Sequence, residues 1–164
     1  MTFNIGHKVV YPSHGPCLIG AVVKKVICGK PASFYRLMSL DETGDAVLVP
    51  LDKITGQGIR QLMAKSEIPK LLGCLKHPSP NVANWKQRAL ANLNRLSSGS
   101  AYDLAEVIES LTELNERRPL APRERQTLEK ARRILICEIS EVIGESKSAA
   151  EKQIDRALKS RKSH

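Results

Sequence analysis

Over the first fifty residues the apolar positions come in short runs broken by turn chemistry, and from Ser66 onward they recur every three to four residues. The first spacing belongs to strands and the second to helices. Lys8-Val9-Val10-Tyr11 reads as a strand ended by Pro12-Ser13-His14-Gly15-Pro16. Cys17 to Ile27 reads as a second, rich in β-branched residues and interrupted by Lys24-Lys25. Cys28-Gly29-Lys30-Pro31 then turns into Phe34 to Met38, and Asp41-Glu42-Thr43-Gly44-Asp45 turns into Ala46 to Pro50. Four or five strands so close together predict a small, strongly twisted antiparallel barrel.

The helical pattern begins with Ile68, Leu71, Leu72 and Leu75, ahead of a break at Pro78-Ser79-Pro80. Trp85, Ala89, Leu93 and Leu96 form one apolar stripe of a second helix that stops at Gly99. Ser100 and Asp103 open a third, which buries Leu104, Val107, Ile108, Leu111 and Leu114. Pro119 and Pro122 precede the longest helix, with a stripe of Leu128, Ala131, Leu135, Ile139 and Val142 and a stop at Gly144. Ser148 and Glu151 form a capping box for a last helix carrying Ile154 and Leu158, and Lys159 to His164 is a frayed tail. The reading is therefore α+β: a β domain over residues 1–64 and an all-helical domain of about five helices over 65–164.

Aromatic residues make up only 4% of the chain, so the cores rest on Val, Ile, Leu and Ala and a large aromatic ligand pocket is excluded. The four cysteines lie far apart, with no Cys-x-x-Cys pair and no secretory apolar region at Met1 to Gly6, which predicts reduced thiols and a cytoplasmic protein. His14 precedes Cys17 by three residues without two further ligands at convincing spacing, so both are structural and no metal is expected. There is no Gly-rich phosphate loop and no base paired with a thiol. Catalysis and a cofactor are not expected, and no run approaches the roughly 20 apolar residues of a membrane span.

A formal charge of +9 favours polyanionic partners. Leu96 to Glu116 contains no Lys or Arg but five acids, so that helix should face away from a phosphate backbone. Arg117 to Arg133 holds seven basic residues, Arg117, Arg118, Arg123, Arg125, Lys130, Arg132 and Arg133, and the Trp85 helix adds Lys86, Arg88 and Arg95. Such a patch would give salt-sensitive, sequence-tolerant DNA affinity. A solvated face of i, i+4 pairs such as Arg125 with Glu129 gives the same composition. Trp85 itself has two readings. A lone Trp on an apolar stripe is usually core, whereas an indole at a helix start, behind the 78–83 loop and beside Lys86 and Arg88, can project into a groove or stack on a base.

Phe3, Gly6, Lys8-Val9-Val10-Tyr11-Pro12, His14-Gly15, Val49-Pro50, Gly58-Ile59-Arg60, Asn84-Trp85, Arg88, Ala105-Glu106-Val107, Glu124-Arg125 and Leu128-Glu129-Lys130-Ala131-Arg132 follow one another over nearly the whole chain. In that order and spacing they resemble the CarD and CdnL bacterial transcription regulators, which bind RNA polymerase. The resemblance implies a Tudor or SH3-like N-terminal barrel that docks on a lobe of the polymerase β subunit through Lys25, Ile27 and Leu48. Leu48 stands where some relatives are basic, so an apolar contact replaces an ion pair. Strand addition at a sheet edge is the expected docking mode. The resemblance also implies that Trp85 wedges into promoter DNA at the upstream edge of the transcription bubble, with Arg88 and Arg125 on the backbone and Lys86 and Arg132 adding charge. Ala121 departs from a capping Ser, which predicts a weaker helix start. The leading expectation is a non-catalytic adaptor that stabilises the open promoter complex. The alternative is a free-standing nucleic-acid-binding protein that uses the basic helices without polymerase.

Overall fold

The computed structural model describes residues 3–41, 44–77 and 84–161. Alternating Val, Ile and Tyr side chains need one face covered, and they find it in a five-stranded antiparallel sheet of order β4-β3-β2-β1-β5. The strands are β1 (Lys8–Tyr11), β2 (Gly15–Ile27), β3 (Lys30–Ser39), β4 (Ala46–Pro50) and β5 (Arg60–Gln61). Its core face gathers Phe3, Val9, Cys17, Ile19, Leu37, Val49, Ile54 and Ile59. A 3-10 turn, Leu51–Gln57, which the sequence pattern did not announce, brings Ile54 onto this cluster.

β2 runs unbroken through Lys24-Lys25 because Lys24 pairs with Ser33 and Lys25 with Ala32, both in register. The irregularity lies earlier, between Ile19 and Val22, where three steps on β2 oppose two on β3. Such a bulge kinks the strand. The turn into β3 is also tighter than its sequence suggested, since Ile27 pairs with Lys30 and Lys30-Pro31 already belong to β3. Cys28 and Gly29 alone make it, with φ of 52° and 76°. Two residues at positive φ form the hairpin turn whose twist suits a right-handed ribbon. Glu42 and Thr43 lie outside the described residues.

Five helices follow: α1 (Ile68–Cys74), α2 (Trp85–Ser97), α3 (Ala101–Arg117), α4 (Pro122–Ile143) and α5 (Lys147–Ser160). The expected α+β class is what the chain adopts, a small antiparallel β domain followed by an all-α bundle. Gly99 and Gly144 stand at positive φ where the sequence placed helix stops, and the Ser100 side chain accepts from Asp103 N–H. The last helix starts earlier than Ser148. Ser146 is its cap, accepting from Ala149 N–H at 3.1 Å.

α4 is central, packing against α3, α5 and β2. Because elements cover it on several sides, Ile134 to Ser140 is buried all round rather than along one stripe. At Gly15 a Cβ would lie 3.3 Å from Ile134 Cγ2, so the start of β2 rests directly on α4. Lys8 adds an ion pair to Glu141 at 2.8 Å across the same seam.

Candidate nucleic-acid and protein interfaces

α2 begins where Asn84, in an extended conformation, accepts Lys86 N–H on its side chain at 2.8 Å. An N-cap of this kind satisfies one orphan donor and fixes the first turn. The first helical residue is Trp85, which is 66% exposed, with Lys86 Nζ 5.8 Å from its ring centroid. The loop 78–83 behind it lies outside the described residues.

The apolar stripe expected on α2 does not face the core. Trp85, Ala89 and Leu93 are exposed and only Leu96 is buried. The helix instead turns inward the row Arg88, Asn92 and Leu96, one residue per turn. Beside Leu96, which joins the helical core, ion pairs hold it: Arg88 to Glu124 of α4 at 3.1 Å and Arg95 to Glu106 of α3 at 3.1 Å. Charge-assisted bonds of that geometry outweigh what Ala89 could gain by burial. The outward row leaves a shallow groove between α2 and α4 lined by Ala89, Leu90, Leu93, Arg123, Gln126 and Lys130.

The same acids decide which cations stay available. Arg132 is committed to Asp155 at 2.9 Å and Glu151 at 3.5 Å, Arg117 to Glu113, Arg118 to Glu124 and Arg133 to Asp41. Among the described residues Lys86, Arg123, Arg125 and Lys130 have no salt-bridge partner, and Arg125 is exposed. Trp85, Lys86 and Arg125 are thus open to solvent, whereas Arg88 and Arg132 have turned their donors to acids. The Arg125 to Glu129 pair does not form among the described residues.

Glu124 was not singled out as a site residue in the sequence, yet it is a junction. Its carboxylate accepts Ala121 N–H at 3.2 Å, the half of a capping box that needs no side-chain oxygen on Ala121, and it accepts Arg88 Nε and Nη2 at 3.3 and 3.1 Å. The visible signal was an acid three residues beyond the helix start.

On the sheet, Lys25, Ile27 and Leu48 share one face. Ile27 and Lys25 alternate along β2; Lys25 pairs with Ala32 and Leu48 pairs with Arg36, and residues 32, 34 and 36 of β3 fall on the same side. It is the face opposite Leu37 and Val49. Leu48 lies four β3 residues from Lys25, roughly 13 Å along the strand. Ile27 is 50% exposed and Leu48 half-buried, while β4 is an edge strand.

Cys17 and Cys137 are buried, and burial pushes their thiols up to about 12 and about 11; Cys28 and Cys74 are exposed. No group of three or more His, Cys, Asp or Glu residues is arranged to hold a metal among the described residues. No helix among them is long and apolar enough to cross a membrane.

Comparison with known proteins places both halves. Residues 3–63 match the family model of the CarD-like/TRCF RID domain, and residues 70–155 match that of the CarD C-terminal domain. The chain is 29% identical over 153 residues to "Putative transcription factor YdeB" of Bacillus subtilis (strain 168), covering 93% of this chain and 97% of that protein. It is also 32% identical to the 72-residue N-terminal domain of Myxococcus xanthus CarD, solved in solution, over 37% of this chain and 79% of that one, with a TM-score of 0.30.

Proposed function

The chain belongs to the CarD family of transcription regulators, and from that premise we propose that it is an adaptor that holds RNA polymerase with its sheet and promoter DNA with Trp85. In this reading residues 1–64 form the polymerase-binding domain and 65–164 the DNA-contacting one. The outer face of β2 to β4, with Lys25, Ile27 and Leu48, meets the lobe of the polymerase β subunit. Trp85 enters the minor groove at the upstream edge of the bubble, with Lys86 and Arg125 against the backbone. Arg88 and Arg132 contribute once phosphate competes with their acids.

The observation that carries this is the 66% exposure of the sole tryptophan at the capped start of a helix. An apolar ring held outward beside a cation suits a groove that is already opening, where wedging holds distorted DNA. Only an affinity that differs between closed and melted promoter can shift the balance between them. Six of the ten cations on α2 and over residues 117–133 are salt-bridged. Counterion release by the helices alone is thereby reduced, which favours the adaptor over a free-standing nucleic-acid-binding protein. The test is co-purification of polymerase with the whole chain and with residues 65–164. Capture by the whole chain only agrees with the adaptor; equal capture, or tight promoter binding without polymerase, contradicts it.

A further inference from the structure

Resting on that reading, we propose that Arg60 is a positioning residue that fixes the Trp85 helix relative to the polymerase-binding sheet. Arg60 belongs to β5, and its guanidinium gathers three parts of the chain. Nη1 and Nη2 each donate to Glu138 of α4 at 2.8 Å, Nη1 also reaches Gln61 O at 3.1 Å, and Nε donates to Gly99 O, just past the end of α2. Glu138 is fully buried, and its Oε2 additionally accepts Met63 N–H at 2.9 Å. The fork geometry of a guanidinium allows one side chain to bond in these directions at once, which an ammonium cannot reproduce.

Sterics agree with the hydrogen bonds. Gly99 has φ +82°, and a Cβ there would stand 3.2 Å from Pro12 Cγ and 3.4 Å from Gly58 O. Ser13 of the same β1–β2 turn donates to Leu96 O at 3.5 Å. The C-terminal end of α2 is therefore seated on the β domain, while Trp85 stands at the other end of its 13 residues. A helix of that length spans about 20 Å, so a tilt of about 10° at the seat carries the indole by roughly 3 to 4 Å. A wedge tethered to a docked sheet loses its register over such a distance.

The molecule supplies its own ruler. Trp85 is the sole tryptophan, and in a Cys74→Ser background Cys28, at the tip of the β2–β3 hairpin, is the exposed thiol that takes an acceptor dye. Time-resolved energy transfer between them gives a distance distribution. Removing Arg60 alone would strand the buried Glu138 carboxylate, so the main variant is the apolar pair Arg60→Met with Glu138→Leu, an exchange that commonly preserves folding. The width of the distribution is expected to grow by half or more in the apolar pair, measured where its urea curve shows it fully folded. Arg60→Lys, which retains the charge without the fork, should broaden it less and serves if the pair does not fold. An unchanged width in the folded variant overturns the proposal.

With polymerase bound, the apolar pair is expected to shorten open-complex lifetime at least threefold without weakening polymerase affinity. A lifetime unchanged in this variant but shortened by Trp85→Ala also overturns the proposal. A lifetime unchanged in both defeats the wedge reading instead, and the width alone then decides whether Arg60 fixes the helix.

Discussion

Arg88, one turn beyond Trp85, gives its Nε and Nη2 hydrogens to a single oxygen of Glu124. That oxygen belongs to the carboxylate that also closes the start of α4. One acid thus holds α2 to α4 and, through Arg88 and Arg118, withholds two cations from solvent. Glu124→Gln should cost roughly 1 to 3 kcal/mol, the range for a charged hydrogen bond in a partly buried site, as read by urea denaturation. It should also release Arg88 and Arg118. Duplex affinity should then rise at low salt, with a slope of log K against log salt steeper by about one to two phosphates, and Arg118→Ala in the same background separates the two. An unchanged slope would leave Arg88 outside the DNA face.

The cap at Asn84 is simpler. Asn84→Ala removes the acceptor for Lys86 N–H and should cost about 1 kcal/mol. The exposed indole should become more mobile, seen as lower steady-state anisotropy of Trp85. Equal anisotropy in the two proteins would show that packing along α2 holds the ring without the cap.

Much of this arrangement was legible in the sequence. β1, β4 and the stops at Gly99 and Gly144 followed from local chemistry, which depends on neighbours a few residues away. What was not legible depends on partners far along the chain. Ala89 and Leu93 looked like part of a buried stripe because apolar spacing is the usual sign of a core, whereas the place of Trp85 at a helix start already allowed it to project. That inward row is Arg88 and Asn92 because Glu124, 36 residues on, and Glu106 receive the arginines. Glu138 likewise sits where the pattern of α4 gave no hint, since its partners, Arg60 of β5 and the Met63 N–H, lie more than 70 residues back along the chain. The cap misplaced at Ser148 reflects two serines with equal local credentials, Ser146 and Ser148.

Thiol chemistry separates the buried from the exposed cysteines. At pH 8 the native protein should react at Cys28 and Cys74 only, two equivalents rising to four in denaturant, because Cys17 and Cys137 are buried and held protonated up to about 12 and about 11. The same shifts have a sign for stability. The folded chain retains protons above the ordinary thiol value of 9.0 that the unfolded chain releases, so stability is full below pH 9 and falls as pH rises toward 11 to 12. Cys17→Ala with Cys137→Ala should flatten that fall. Four fast equivalents in the native state would contradict the burial.

The outer sheet face can be tested apart from DNA. Lys25→Glu with Ile27→Asp places two acids on exposed β2 positions outside the buried cluster of the sheet. The fold should survive within about 0.5 kcal/mol, while affinity for a fragment of the polymerase β lobe drops at least tenfold. Retained affinity would move the interface elsewhere, with the edge of β4 the next surface to probe.

The central claim is that the exposed indole of Trp85 acts on DNA while polymerase holds it open. Its most direct measurement is the lifetime of heparin-challenged open complexes on a promoter that responds to the protein, formed with native chain and with Trp85→Ala. Because the ring is 66% exposed, its loss should leave folding and polymerase affinity unchanged. Loss of one stacked or wedged ring, worth roughly 1 to 3 kcal/mol, should shorten the lifetime by about 5- to 150-fold. Equal lifetimes with the two proteins would contradict the account.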